Sequence, residues 1–382
     1  MNFDIFTQGP LYRFFLQSRL VKKPLLLYQR RMLIICLLTW LPLLILTLFS
    51  KVRLSMFISD IDVHVRLLIS LPLLLYAEVV ANKRFQVVVG QFIKCHIVSK
   101  KDYPQYEAMI ASAMKLSSSI LVEIILFLFV ITVGRWISKQ VLPFDISMWY
   151  ATKINNSVSL TLPGYWYAFV SLPIFQFILL RWYYRIIIWY RFLWQTSRLK
   201  LRLNSLHPDK AGGIGFLVNS IYGIEPFLIA HSVLLAGIIL NSILNSNAIL
   251  WQFKNEMIAW LIILVFIPLL PMTFFIRQLT RAKRDGTNEY DVVANQYVTD
   301  FRRKWIDTQS NPEETLLGTP DIQSLSDLSN SFAVSAGMRI FPLNKNAIFF
   351  ILLFTALPFF PLIFTVIPLE KILSQVITIV FK

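Results

Sequence analysis

The sequence predicts an all-α protein, a polytopic membrane helical bundle of seven transmembrane helices with a small cytoplasmic helical cap, and three observations carry that prediction. Seven stretches are long, apolar and nearly free of charge. Lys and Arg fall almost entirely into alternate gaps between those stretches. Composition agrees, with 56% apolar and 15% charged residues and a mean hydropathy of +0.61, because a soluble domain of this length exposes far more charge.

Residues 1–31 form a basic and aromatic interfacial segment (Tyr12, Arg13, Phe14, Phe15, Leu16, Arg19). No small-residue cleavage site follows the next apolar run, so the first span reads as a retained anchor. The spans Met32–Ser50, Val65–Asn82, Leu116–Gly134, Gly164–Leu180, Ile221–Leu244 and Met257–Ile276 build a bundle over 32–276, and Ala347–Ile367 adds the seventh. Each has the length of about 17 to 25 residues that crosses a hydrocarbon core of roughly 30 Å. Residues 347–382 combine the last span with the run Ile372–Phe381, which is too short to span and predicts an interfacial helix.

Orientation follows from the basic residues, which cytoplasmic loops retain. With the N-terminus inside, 28 of the 37 Lys and Arg residues lie on the cytoplasmic side. The expected topology is therefore N-in and C-out. The formal charge of +16 is then mostly topology, dispersed over four segments beside anionic headgroups. Anionic bilayer lipid is the implied partner, and a nucleic-acid partner is excluded, since that needs charge concentrated on one folded face. Oligomeric state and cofactors are not legible. Cys36 falls inside the first span and Cys95 in a cytoplasmic segment, so no disulfide framework is implied.

The cytoplasmic segment 277–346 predicts two helices. The first runs from about Glu289 to Thr308 with a stripe of Val292, Val293, Gln296, Tyr297, Phe301 and Trp305. The second starts with Thr319 as N-cap and Pro320 at the first position and reaches about Arg339. Both apolar faces are expected against the bundle or the bilayer. Upstream, Trp182, Tyr183, Tyr184, Trp189, Tyr190 and Trp194 alternate with Arg181, Arg185 and Arg191, which reads as an interfacial belt with snorkelling arginines on a fourth span that continues to about Gln195. Five spans carry internal proline: Pro42, Pro72, Pro173, Pro268 with Pro271, and Pro358 with Pro361. Neighbouring helices satisfy the carbonyls so freed.

Ionisable residues at membrane depth cost about 2.5 kcal/mol or more unless paired or wet. Glu78, Glu123, Glu225 and His231 all fall in cytoplasmic halves of spans, and the expectation is that they line one inward-opening polar cavity handling a small ion or proton. The densest motif, Leu206-His207-Pro208-Asp209-Lys210-Ala211-Gly212-Gly213-Ile214-Gly215-Phe216, precedes the fifth span. Its glycines expose backbone N–H groups, so a second candidate is an anion or headgroup site made by His207, Asp209, Lys210, Gly212 and Gly213 with Arg181, Arg185 and Arg191. A metal reading of His207, Asp209, Glu225 and His231 fails on spacing, because Glu225 and His231 are six apart and share no helix face. No nucleophile motif is present, so no catalytic residue is assigned.

Two stretches, LHPDKAGGIGF (Leu206–Phe216) and LGTPDIQSLSDLSNSFAVSAGMRIFPLNK (Leu317–Lys345), resemble a family of uncharacterised bacterial multi-pass inner-membrane proteins with an HPD-x-AGG-like loop and a D-x-Q-S-L-x-D-L-x-N-S-F-like helix. The resemblance covers the C-terminal half in motif and the N-terminal half in layout. It implies a bacterial inner-membrane location and transfers no functional residue. The expected function is a transporter, channel or sensor with a cytoplasm-facing polar cavity. A scaffold without transport, or an enzyme acting on a lipid-linked or phosphorylated substrate at the cytoplasmic face with His207 or Asp209 as acid or base, is the alternative.

Overall fold

A computed structural model describes residues 3–7, 9, 10, 12, 28–50, 52–134, 148–154, 157–246, 248–307, 316 and 318–366. The expected interfacial helix at 372–381 lies outside the described residues. Six helices are long and apolar enough to cross a membrane: α1 (Tyr28–Leu48), α2 (Ile61–Lys94), α5 (Leu162–Thr196), α6 (Gly215–Ser246), α7 (Leu250–Asp307) and α9 (Lys345–Thr365). Between α2 and α5 lie α3 (Lys100–Ser117) and α4 (Ile120–Thr132), bent by 42° at Ser118-Ser119, and counting this pair as one broken span gives seven. A β-hairpin, β1 (Ala151–Ile154) with β2 (Ser157–Leu160), is the one sheet among the described residues.

The exposed surface fits hydrocarbon rather than water. Leu33 and Leu37 on α1, Ile124 and Phe127 on α4, Ile262 and Phe266 on α7, and Phe349 and Leu352 on α9 all stand exposed. Apolar stripes of this extent are rare on soluble monomers and normal where lipid is the solvent.

Segments from alternate gaps meet at two opposite ends of the bundle. At the basic end the Arg202 amide donates to the Ile97 carbonyl at 2.8 Å, the Asn204 amide to Gly212 at 3.2 Å, and the Arg339 amide to Lys210 at 2.7 Å. At the other end Trp149 donates to Asp60 at 2.7 Å and Asn245 to the Ser59 carbonyl at 2.9 Å. Loops rich in Lys and Arg therefore share one pole.

Helices run past several expected boundaries. The third predicted span, 116–134, is broken by the Ser118-Ser119 pair, and its first turn belongs to α3. No separate helix begins at Glu289, because nothing between Ile276 and Arg302 stops the helix and α7 emerges from the bundle unbroken. It pairs antiparallel with α8 (Pro320–Ala336): Gly286 approaches Ser335, whereas Tyr297 donates to the Asp321 carbonyl at 2.9 Å and Trp305 to the Asp321 carboxylate at 2.9 Å. Tyr297 and Trp305 thus face α8, but Val292, Val293 and Ile322 stand exposed. The stripe expected against the bundle is split between two sides of this hairpin.

Apolar attraction does not hold helices together in lipid, so close packing must. The α6 face against α2 shows how. A Cβ on Gly223 would come within 2.9 Å of the Phe85 ring, and one on Gly237 within 2.7 Å of Val65. Midway between them, the Ala230 carbonyl accepts from Ser70 at 3.1 Å. Small residues at 223, 230 and 237 recur every seven positions, the period that keeps one seam of a helix on its neighbour.

Prolines act locally. In α2 the π-helical turn Val65–Ser70 precedes Leu71-Pro72, and in α5 the turn Tyr167–Ser171 precedes Leu172-Pro173. Each widened turn absorbs the clash of the following proline with the preceding carbonyls. The serine before each Leu-Pro is buried and bonds a neighbouring backbone, Ser70 to Ala230 and Ser171 to the Thr39 carbonyl at 2.6 Å. Pro271 of α7 and Pro358 and Pro361 of α9 instead sit in 3-10 stretches, Leu270–Phe275 and Leu357–Thr365, and Pro268 lies in the α-helix just before the first of these.

Candidate functional site

The bundle interior holds a cluster of charge. Glu78 on α2 accepts from Arg185 of α5 at 2.5 Å and lies 2.7 Å from Arg31 of α1. Arg181, one turn before Arg185 and so on the same helix face, places its Nε 3.2 Å from Glu123 of α4 and its terminal nitrogen 3.9 Å from Glu78. Arg31, Glu78, Arg181 and Arg185 are 1–4% exposed. Three guanidiniums and two carboxylates from four helices thus neutralise most of each other's charge, the condition under which ionised groups persist at membrane depth.

The N-terminal segment closes over this cluster. Phe3, Ile5, Phe6 and Tyr12 are 0–2% exposed. Arg185 donates to the Phe6 carbonyl at 3.1 Å and lies over the Phe6 ring at 4.6 Å. Phe3 meets Trp189 edge-on, and Trp189 stacks on Phe85 at 4.0 Å. The expectation of an interfacial N-terminal segment is thus corrected for Phe3, Ile5, Phe6 and Tyr12, which are core. Two of the six aromatics of the supposed belt are core as well, since Trp182 and Trp189 are 1% and 0% exposed. They lie seven apart, on the face of α5 that turns inward.

His231 and Glu225 stand apart from the cluster. The Phe227 carbonyl, 2.8 Å from His231 Nδ1, can only accept, so Nδ1 carries hydrogen and a neutral ring takes the Tyr183 hydroxyl at Nε2, 2.6 Å away. Phe227 and Trp260 pack on the ring. Glu225 is half-buried with Arg84 as its neighbouring cation. The structure therefore joins Glu78 with Glu123 through Arg181, whereas His231 bonds Tyr183 and Phe227 and Glu225 faces Arg84, so the expected grouping of the four is not what their partners show.

The glycine-rich loop does gather backbone donors, and it supplies its own anion. Asp209 accepts from the amides of Ala211 at 2.7 Å, Gly213 at 3.1 Å and Gly215 at 2.8 Å. Gly212 and Gly213 take φ of +67° and +92°, left-handed values that aim successive N–H groups inward and that side chains resist. Partial burial raises the Asp209 pKa, but the three amides and His207, 2.9 Å away, outweigh it and leave the carboxyl below its usual range. Lys210 extends outward, and Arg191, exposed, donates to Ser112 at 3.1 Å. Arg181 and Arg185 are buried in the cluster. The anion site expected from His207, Asp209, Lys210, Gly212, Gly213 and the three arginines is thus not assembled, because Asp209 fills the nest and two arginines face inward.

The same loop joins the other distinctive segment of the chain. The Arg339 guanidinium, just beyond α8, donates to the Asp209 carbonyl at 2.6 Å and also to the Leu343 carbonyl, while Met338 packs against Gly212.

Beside this junction opens a cavity of about 1250 Å³ between residues 197–206 and the first turns of α7 beyond the bundle. Arg198, Lys200 and Arg202 line one wall and Arg277 and Arg281 the other. The first wall is extended: Arg198, Lys200, Arg202 and Asn204 are exposed, while Leu199, Leu201 and Leu203 alternate inward. On α7 a four-residue spacing aligns the second pair. Gln278 ties the walls together, donating to the Ser197 and Leu199 carbonyls, the latter at 2.8 Å. Sequence reasoning counted these residues only as topological charge. The signal was the strict alternation R-L-K-L-R-L-N over 198–204.

Among the described residues no group of three His, Cys, Asp or Glu side chains is placed to hold a metal ion. No family model, curated protein or solved structure matches this chain.

Proposed function

We propose that this chain is a multi-pass protein of the bacterial inner membrane, its basic pole in the cytoplasm, that binds a ligand at the cytoplasmic face and acts as a sensor or binding scaffold rather than a conduit. The observation that carries this reading is the large charged cavity at the basic pole, outside the bundle. Within the bundle, Glu78 and Glu123 are held by arginine, and His231 is satisfied by Tyr183 and Phe227. Carboxylates fixed by permanently charged guanidiniums are poor proton relays, since losing the proton-free state leaves buried cations uncompensated. The inner-membrane location rests on the resemblance of Leu206–Phe216 and Leu317–Lys345 to bacterial proteins of that membrane, and the orientation rests on charge.

Proteoliposomes test the reading. Purified full-length protein should pass no more protons, Na⁺ or K⁺ than empty vesicles. A flux that Glu225→Gln or His231→Gln abolishes overturns it in favour of a pathway.

A further inference from the structure

We propose that the cavity between residues 197–206 and α7 is a binding site for a phosphate-bearing anion, which deepens, and rests on, the ligand-binding reading above. Five cations from two separate elements face one space, and none of Arg198, Lys200, Arg202, Arg277 and Arg281 forms an ion pair among the described residues. Elsewhere in this protein converging arginines are matched by Glu78 and Glu123; here no described carboxylate pairs with the five cations. Asp285 and Glu289 also line the space, but one and two turns farther along α7, beyond the arginines. The cavity is thus graded, cationic next to the bundle and acidic at its outer end.

The walls are fixed in advance. Gln278 holds the Ser197 and Leu199 carbonyls, Arg202 and Asn204 are anchored through their amides to Ile97 and Gly212, and Ser205 packs against Gly286 so closely that a Cβ there would lie 2.1 Å from its hydroxyl. A rigid extended strip presents its side chains at one spacing, so little ordering entropy opposes an anion that bridges the strip and the helix. Guanidinium groups offer paired donors matched to phosphate oxygens. The space exceeds the roughly 300–1,000 Å³ of ordinary small-molecule pockets, and Trp194, Leu201, Leu206 and Phe274 give it an apolar side next to the bundle. A phosphodiester with a polyol or amine on one side and an apolar chain on the other fits this layout; so does a soluble phosphomonoester using the polar part alone.

Titration calorimetry of full-length protein in an uncharged detergent separates the two sources. Dihexanoyl phosphatidylglycerol is the lipid probe and glycerol phosphate the soluble one. We expect at least one to bind with an affinity that falls with salt, and Arg202→Gln/Arg277→Gln to weaken it about tenfold or more, as expected for loss of a charged hydrogen bond, with an unchanged unfolding temperature. Arg191→Gln, an exposed cation outside the cavity, should bind as the unmodified protein does. Binding of the lipid probe alone assigns a membrane headgroup, and binding of glycerol phosphate assigns a soluble ligand. If neither binds, or if the double variant binds as tightly as the unmodified protein, the inference is overturned. Ion flux in proteoliposomes would instead sink the non-conducting reading and leave a measured phosphate site standing.

Discussion

Arg185 links two parts of the chain that are far apart in sequence: one guanidinium nitrogen lies 2.5 Å from Glu78 of α2 and the other donates to the Phe6 carbonyl. The same guanidinium covers the Phe6 ring. One side chain of α5 therefore fixes both the neighbouring helix and the segment that closes over the bundle. Such a cluster stabilises less by net energy than by allowing one register, because any shift of α5 against α2 strands a buried charge.

Glu78→Gln should accordingly be among the most damaging single substitutions. It leaves Arg31, Arg181 and Arg185 sharing Glu123, and breaking a buried pair from one side costs about 3–5 kcal/mol. Arg185→Met removes a cation from a cluster that holds three against two and should cost less. Unfolding temperatures in detergent check the order; equal temperatures for Glu78→Gln and the unmodified protein would show the cluster to be solvated.

The seam between α6 and α2 leads to a prediction about size alone. Gly237→Val inserts three carbons where one Cβ already meets Val65 at 2.7 Å, and Gly223→Val does the same against Phe85. Overpacking of this kind costs about 1–3 kcal/mol. Gly90, whose Cβ would meet nothing within 4 Å, is the control: Gly90→Ala should leave the unfolding temperature unchanged or slightly higher. A drop for Gly90→Ala matching that of Gly237→Val would mean that close contact at the seam does not set these values.

How much of this was legible depends on which physical signal a residue carries. Length and charge marked the spans because a hydrocarbon slab acts on every residue of a helix at once, and α1, α2, α5, α6, α7 and α9 enclose nearly all of the predicted spans. Facing was harder. Trp182 and Arg185 carry the composition of an interfacial belt, and only their positions relative to Phe175, Ile178, Trp189 and Phe192 place them on the buried face of α5. The recurrence of Gly223, Ala230 and Gly237 every seven residues was readable as a close seam and went unread. The pairing of Glu78 with Arg31 and Arg185 was not readable at all, since it joins three helices across separations that no local pattern encodes. Asp209 shows the opposite limit: the glycines rightly announced converging amides, but the anion they bind lies inside the motif itself.

Asp209 gives the protein a specific acid sensitivity. Its folded carboxyl titrates below the usual range, so its contribution is complete at neutral pH, remains so down to the unfolded value of about 3.9, and is lost as pH falls through the folded value. Asp209→Asn should lower the unfolding temperature at pH 7 and flatten the decline below about pH 4. Arg339→Gln, which releases the loop carbonyl rather than the carboxylate, should lower stability without changing the shape of that decline. Parallel acid limbs for Asp209→Asn and the unmodified protein would show that some other carboxylate dominates.

Cys95 offers the most direct check on threading. It is exposed at the end of α2, at the pole where the basic loops meet, whereas Cys36 lies partly buried within α1. With that pole in the cytoplasm, a membrane-impermeant maleimide added to intact cells should leave Cys95 unlabelled and should label it fully in inverted membrane vesicles. Cys95→Ser should abolish that signal, which distinguishes it from leakage to Cys36. Because α2 rises from Ile61 at the opposite pole, a cysteine introduced at Ser59 should show the reverse pattern, reacting in cells and not in inverted vesicles. Labelling of Cys95 from outside would invert every assignment of side made from charge, and with it the placement of the phosphate cavity in the cytoplasm, while leaving the cavity's own chemistry intact.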